Sequence, residues 1–327
     1  MEADFMSEQA LKQLFLAHPQ EYLSGQQLAQ NLGISRTAVW KQIQQLKNQG
    51  YQIHSQGKLG YRYEGTDHLD SAVIQANLAN SADCEILTFA SLNSTNDYAK
   101  QYLSQQPVTK PVVILADEQT AGHGRLGRSF YSPKTTGLYL SILLPVTANG
   151  SVIPGLLTTG TGMAVVKALQ KVLPELPLRL KWINDLVVHQ RKCGGILTEA
   201  INDLESNQIS HLIVGIGLNL VTQDFPADLK DIAGALSKTP LDRNKLAADI
   251  ITEFLKMYAT YETGDFLPEY RRYSAVLGRQ IQANTRGKII TGVAQDIDTM
   301  GHLLVATDQG LTTLSSGEIT KVQLDPA

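Results

Sequence analysis

Asp117–Pro133 reads DEQTAGHGRLGRSFYSP, and within it Gly122-His-Gly124-Arg-Leu-Gly127 spells G-x-G-x-x-G. That pattern often announces a nucleotide cofactor, and the way the chain enters and leaves it decides the fold. A dinucleotide-binding unit needs a strand before the loop and a helix after it, because the helix N-terminus holds the pyrophosphate. The strand is predicted over Pro111–Ala116. After the loop, Ser129-Phe-Tyr-Ser-Pro133 leads into the apolar run Gly137–Leu144, which reads extended, and Pro133 disfavours a helix entry. A kinase-type flap fails because no V-A-I-K, H-R-D or D-F-G follows. Arg125 and Arg128 give the loop another use. Guanidinium groups grip phosphate or carboxylate in pairs of hydrogen bonds, so a glycine loop carrying two of them can close over an anionic ligand. The plain alternative is an exposed loop with solvated charges.

Outward from the loop, strands and helices alternate irregularly over the block 67–273. Strands are predicted at Glu85–Phe89, Gly194–Asn202 and Ser210–Leu220, with a hairpin formed by Arg179–Ile183 and Leu186–His189 about Asn184-Asp185. Helices are predicted at Ser94–Leu103, Gly155–Leu173 and Leu241–Thr260, the last begun by Asp242. Consecutive hairpins with separate helices predict an α+β class with a mixed sheet. The block 274–327 is strand-like throughout, with turns at Thr285–Lys288, Asp298–Gly301, Asp308–Gly310 and Ser316-Gly317. Short strands at that spacing predict a small barrel.

The block 1–66 has a different pattern. Ser24 and Ser35 are placed to cap two short helices, Gly33 sits at the tight turn between them, and Val39, Ile43 and Leu46 form one apolar stripe. Two short strands follow around Gly57–Gly60. A helix-turn-helix with a two-stranded wing is a DNA-binding arrangement. From Gln20 to Tyr63 there are five basic residues (Arg36, Lys41, Lys47, Lys58 and Arg62) against one acidic residue, Glu21. Ser35, Arg36, Thr37, Trp40, Lys41 and the wing residue Lys58 are the candidate DNA contacts. A protein-binding three-helix module with Trp40 as a packing residue is the bland alternative.

The chain has 327 residues, 43% hydrophobic and 18% charged, which predicts two or three domains with sizeable cores. Net charge is −3, so any nucleic-acid contact needs a local patch. Two cysteines, Cys84 and Cys193, lie far apart without metal-ligand spacing, which fits a reducing compartment. The start, MEADFMSEQ, is acidic and has no apolar run of the signal-peptide kind, and no stretch reaches a membrane-spanning length. The expected location is cytoplasmic, with no membrane partner.

Four more clusters beside the loop handle anions and flat polar groups. Ser91–Asn96 offers hydroxyls and an amide at a helix N-terminus. Lys181-Trp-Ile-Asn-Asp185 groups a cation, an aromatic ring, an amide and a carboxylate. Lys192–Glu199 opens with a cation and two glycines. Gly215-Ile-Gly-Leu-Asn219 is an apolar strand whose glycines permit close approach. Each has a structural reading of its own, but five in one domain make an all-structural account improbable.

Ser94-Thr-Asn96, Gln119–Arg128, Lys181-Trp-x-Asn-Asp185, Arg191-Lys192-x-Gly-Gly-Ile-Leu and Gly215-x-Gly-x-Asn219 together resemble the biotin–protein ligases. With the winged helix in front, the chain is similar to the bifunctional type, biotin–[acetyl-CoA-carboxylase] ligase and biotin-operon repressor in one chain, and the likeness runs through all three blocks in order. It implies a central domain of the biotin/lipoate ligase type, with a C-terminal SH3-like barrel. That domain would bind biotin and ATP, make biotinyl-5′-AMP, and pass biotin to a lysine of a biotin carboxyl carrier protein. The adenylate would also be the corepressor, favouring a homodimer on operator DNA.

The resemblance places Ser94, Thr95 and Asn96 at the biotin head group. Gln119, Gly122, His123, Gly124 and Arg125 form the loop over biotin and adenylate, and Gly195 and Gly217 make backbone contact with the ligand. Lys181, Trp182, Asn184 and Asn219 lie at the nucleotide. Arg125, Lys192 and Asp185 are the catalytic set, with Lys192 on the biotin carboxylate and Asp185 serving Mg²⁺. Joining a carboxylate to a phosphate works against anion–anion repulsion, which two cations and a metal ion would offset.

His123 stands where the repressor-type loop often has arginine, and Ile183 replaces the usual proline before Asn184. A ligase whose winged helix no longer regulates, a lipoate-type ligase, and a ligand sensor built on an inactive ligase are the other readings.

Overall fold

The computed structural model describes residues 2–79, 82–146, 152–203, 208–285 and 287–322, with side chains from residue 8 onward. Arg286 of the predicted turn and residues 323–327 of the third block lie outside the described residues. The chain divides into two compact units, Met1–Asn77 with Asp242–Lys245, and Leu78–Leu241 with Leu246–Ala327.

The first unit contains α1 (Glu2–Ala17), α2 (Gly25–Leu32), α3 (Arg36–Asn48), β1 (Tyr51–Gln56), β2 (Gly60–Thr66) and α4 (Ser71–Asn77). Local chemistry sets the helix ends. Ser24 and Gln27 form a reciprocal capping box, Gly33 ends α2 at φ 64°, and the Ser35 hydroxyl accepts from the Ala38 amide at 3.1 Å. Leu11, Phe15, Leu28, Val39, Ile43 and Leu46 close the core beneath the β1–β2 hairpin.

That hairpin is pinned by a bridge between Leu23 and Tyr61. At Gly60 φ is +111° and an added Cβ would lie 2.1 Å from the Leu23 carbonyl oxygen. Gly60→Ala therefore combines a forbidden backbone angle with a backbone clash. We expect it to destabilise the unit by about 2–3 kcal/mol, read as lost amide-exchange protection in β1 and β2; unchanged protection would refute this.

The second unit is built on β3 (Glu85–Phe89), α5 (Thr95–Gln105), β4 (Val112–Ala116), β5 (Gly137–Pro145), α6 (Pro154–Val172), β6 (Leu178–Lys181), β7 (Asp185–Val188), β8 (Arg191–Asn202) and β9 (Ile209–Asn219). It continues with α7 (Arg243–Tyr258), whose first turn groups with the first unit, and α8 (Leu267–Tyr273). The seven strands form one sheet in the order β3-β4-β5-β9-β8-β7-β6, parallel only between β3 and β4 and antiparallel elsewhere.

Side chains alternate across the sheet. On β8, Thr198 meets Thr158 of α6, while its neighbour Glu199 meets Asn96 and Lys100 of α5. The small residues of α6 let it lie close to the sheet: at Gly162 an added Cβ would already be 3.4 Å from Leu180.

The C-terminal strands β10 (Gln280–Thr285), β11 (Lys288–Ile297), β12 (Leu303–Thr307), β13 (Gly310–Leu314) and β14 (Glu318–Val322) form an antiparallel sheet in the order β13-β12-β11-β10-β14. Its core side chains, among them Ile281, Ala283, Ala294, Ile297, Val305, Leu314 and Ile319, are buried. Among the described residues β13 and β14 are the two ends of the ladder. No helix among the described residues is long and apolar enough to cross a membrane. Cys84 and Cys193 are buried free thiols, and burial pushes both up to about 11.

Candidate active site

The glycine motif is the tip of a small hairpin. Gly124 N–H donates to the Arg128 carbonyl at 2.7 Å and Phe130 N–H to the Gly122 carbonyl at 2.8 Å, with a single 3₁₀ turn at Arg125–Gly127. Leu126 and Gly127 take left-handed angles in succession, φ 59° and 71°. The chain then runs extended into β5, so the loop is not followed by a helix and the dinucleotide reading is excluded.

Past β4 the chain stays extended, bridging Leu92 on one side and Ser132 on the other, which fixes Gln119 between them. Its side-chain oxygen accepts from the Thr95 backbone amide at 2.8 Å and the Thr95 hydroxyl at 3.1 Å, and its side-chain NH₂ donates to the Ser132 hydroxyl at 3.0 Å. Ser94 caps α5 and accepts from the Asp97 amide. Asn96 donates to Glu199 at 2.7 Å and accepts from Ser141 at 2.5 Å. The expected head-group residues Ser94, Thr95, Asn96 and Gln119 are thus brought together. At Gly122 an added Cβ would be 2.8 Å from the Ser132 hydroxyl, so this glycine lets the hairpin close on the cluster. His123 lies 3.8 Å from the Asp97 carboxylate, and a Cβ added at Gly124 would make only ordinary contact, 3.8 Å from the Arg128 carbonyl.

A second centre forms around Asp185, where β7 leaves its turn. Lys192 Nζ is 2.6 Å from one carboxylate oxygen and Lys181 Nζ is 3.3 Å from the other. The hairpin register places Asp185 opposite Gly195, and an added Cβ on Gly195 would meet the Lys192 ammonium at 3.3 Å. Lys192 is also held from the side, because its backbone pairs with Ile232 and Gly234 of a following loop at 2.8 and 2.9 Å. Arg125 donates to the Gly317 carbonyl at 2.9 Å and reaches the Asn184 side-chain oxygen at 3.4 Å. Arg128 pairs with Glu318. A cavity of about 290 Å³ opens beside Arg125 and Ile183, bounded by Thr158, Thr198 and Ser316. The Asn219 side-chain oxygen is buried and makes no hydrogen bond within the chain.

Three residues sit differently from a simple ligand contact. Trp182 is buried and its ring N–H donates to the Gly301 carbonyl at 3.0 Å, so its side chain braces the Asn184–Asp185 turn against the β11–β12 turn. The space over Gly217 is taken by the Phe130 ring, 2.7 Å from where a Cβ would stand. Asp185 has both oxygens on lysines.

Ser141, Glu199, Lys100 and Phe130 join the site without having been singled out from the sequence. Ser141 had a signal: it is the one aliphatic hydroxyl in an apolar strand, and it is fully buried.

Residues 88–219 match the Biotin/lipoate A/B protein ligase family, 7–62 an HTH domain, and 276–322 the Biotin protein ligase C terminal domain. The bifunctional ligase/repressor BirA of Bacillus subtilis is 31% identical over 318 residues, covering 94% of this chain and 97% of that protein. The chain belongs to the biotin–protein ligase family. Within that family it shares the bifunctional architecture: the BirA ligase/repressor of Escherichia coli is 27% identical over 317 residues, 95% of this chain and 96% of that one. Among solved structures, a biotin protein ligase from Aquifex aeolicus in complex with biotin and ATP superposes with a TM-score of 0.60 at 28% identity. That match covers 72% of this chain and 97% of that one.

Proposed function

We propose that this biotin–protein ligase joins biotin to ATP in the central domain, transfers the biotinyl group to a lysine of a biotin carboxyl carrier protein, and uses the adenylate to favour a homodimer that represses from operator DNA. The observation that carries the catalytic half is the convergence of Lys192, Lys181 and Arg125 on the turn holding Asn184 and Asp185, with β8 and β9 lying between that turn and the strand β5 whose Ser141 joins the Thr95–Gln119 cluster. A ligand with a polar ring at that cluster and a carboxylate at Lys192 spans the two centres.

In the first step a biotin carboxylate oxygen attacks the α-phosphorus of ATP, the mixed anhydride forms and pyrophosphate leaves. Lys192 and Arg125 hold the two anions together and take up the charge that develops on the phosphate. Asn219, with its free buried oxygen, is suited to a donor of the nucleotide. In the second step the neutral carrier amine attacks the acyl carbon, the C–N bond forms, the acyl C–O bond to phosphate breaks, AMP leaves and the nitrogen gives up its extra proton to solvent.

Magnesium usually binds through one or two carboxylates plus substrate phosphates, so a single carboxylate is enough for an ion arriving on a nucleotide. Asp185 is the carboxylate in place, and its weaker 3.3 Å contact to Lys181 is the one to yield. The ion would add charge neutralisation on the phosphates.

The DNA-binding half rests on α3 and the wing. Arg36, Thr37, Trp40 and Lys41 are exposed on one side of α3 and Lys58 stands in the wing turn, while the Ser35 hydroxyl is committed to its cap. Arg62 is paired with Glu64 at 2.6 Å and so contributes little net charge.

Incubation with biotin, ATP, Mg²⁺ and an apo carrier domain is expected to raise the carrier mass by one biotinyl group. No gain, or a gain only with lipoate, overturns the ligase reading. Operator affinity is expected to rise when biotin and ATP are present together, and indifference removes the repressor half. Arg125→Ala should release bound adenylate about 10- to 100-fold faster, the worth of charge-assisted hydrogen bonds; an unchanged off-rate counts against its gripping role.

A further inference from the structure

The cluster beneath the hairpin can be counted proton by proton. The Thr95 hydroxyl touches the Gln119 oxygen at 3.1 Å, and the Ser141 hydroxyl touches both the Thr95 hydroxyl at 2.7 Å and the Asn96 oxygen at 2.5 Å. Two hydroxyl protons serve three oxygen–oxygen contacts, so one contact lacks a proton whichever way the hydroxyls turn.

Neither amide can supply it. Gln119 keeps its oxygen inward because it also accepts the Thr95 amide, and its NH₂ faces Ser132, whose own proton goes to the Phe130 carbonyl at 2.9 Å. Asn96 keeps its oxygen inward because its NH₂ is held by the Glu199 carboxylate, which can only accept. Lys100 donates to the other Glu199 oxygen at 2.9 Å. Burial pulls the Glu199 carboxyl up, but the hydrogen bonds from Lys100 and Asn96 outweigh it and keep the group below its usual range, hence ionised. Gly215 gives Asn96 its place, since an added Cβ there would be 2.4 Å from the Asn96 oxygen.

We propose that Glu199, braced by Lys100, sets the donor–acceptor polarity of the head-group pocket. Acting through Asn96 and Ser141, it leaves the cluster one proton short and so selects a ligand ring that brings an N–H, such as the cyclic urea of biotin, over a ring without one. Glu199, Lys100 and Ser141 are positioning residues: they act on the ligand through Thr95, Asn96 and Gln119. The inference rests on the biotin reading above and adds the source of its selectivity.

In Glu199→Gln the new carboxamide can donate as well as accept. Asn96 is then free to turn its NH₂ inward, and the shortage disappears. Biotin-dependent pyrophosphate release by the full chain, with biotin and ATP varied separately, reads the effect. The expected result is a KM for biotin raised about 10- to 100-fold, as for a buried polar group left mispaired. The KM for ATP and kcat at saturating biotin should stay within about threefold. The preference of the unsubstituted chain for biotin over biotin methylated on a ureido nitrogen should narrow in the variant.

Ser141→Ala removes one oxygen and adds no bulk, and it should raise the biotin KM in the same selective way should Glu199→Gln fail to fold. Biotin KM values within about twofold of the unsubstituted chain, or equal losses for biotin and ATP, overturn the proposal while leaving the ligase reading intact. No biotin-dependent turnover by the unsubstituted chain overturns both.

Discussion

Lys192→Ala is expected to lower biotin-dependent pyrophosphate release about 10²- to 10³-fold, the usual cost of removing one preorganised charge from a developing anion. Lys192 is the cation best placed for this work. Its ammonium is 2.6 Å from Asp185, it stands at the start of β8 beside Gly195, and its backbone is fixed on both sides by Val187 of β7 and the Ile232–Gly234 loop. Its side chain is 41% exposed, so the ammonium can reach a ligand. The loss should fall on chemistry rather than on folding. Lys181 remains on Asp185 in the variant, so the carboxylate keeps a partner, and the lost ammonium is itself well exposed. The melting temperature should therefore stay within a few degrees. Lys192→Arg keeps the charge but replaces a compact ammonium by a planar fork, so partial recovery is expected. Turnover of the alanine variant within tenfold of the unsubstituted chain would remove Lys192 from its assigned role.

The parts of the fold and of the site that the sequence disclosed are those governed by short-range chemistry. Ser24, Gly33 and Ser35 announce helix ends because a cap involves neighbours three residues apart. The Asn184-Asp185 hairpin and the missing helix after Gly127 follow from local turn and proline signals in the same way. Strand order does not, because pairing β9 between β5 and β8 is decided by burial across the whole sheet. Asp185 illustrates the boundary. Its contact with Lys181 is four residues away and readable, whereas its shorter contact with Lys192 depends on the β7–β8 register. Trp182 shows the same limit more sharply. An aromatic ring in a ligand motif reads as a ligand contact, and only the fold reveals that a carbonyl 119 positions later takes its N–H. Glu199 ended a quoted motif, yet its use depends on Asn96 arriving from α5 over Gly215.

Asp70→Ala is expected to give the largest loss of stability, about 2–4 kcal/mol in the first unit, because one carboxylate there serves three donors. Lys12 of α1 pairs with it at 2.8 Å, the Tyr51 hydroxyl of β1 donates to the same oxygen, and the Val73 amide of α4 donates to the other at 3.0 Å. The Asp70 amide in turn donates to Asn244 at 2.8 Å. Removing the carboxylate strands a largely buried ammonium, a buried phenol and a helix N-terminus together. Burial raises the Asp70 carboxyl, but the hydrogen bonds from Lys12, Tyr51 and Val73 outweigh it and hold the folded value below the usual range. The sign of the pH effect follows. A carboxyl depressed in the folded state adds stability that is complete above its unfolded value near about 4, and that is lost as pH falls from there through the folded value. Amide exchange across α1, α3 and β1 of the full chain reads both effects. In the alanine variant protection should drop at pH 7 while β4 and β5 keep theirs, and the variant should lose less further protection than the unsubstituted chain on acidification below about pH 4. Equal protection in the two chains at pH 7 would sink the assignment. Equal acid sensitivity would instead place the titrating group elsewhere in the unit.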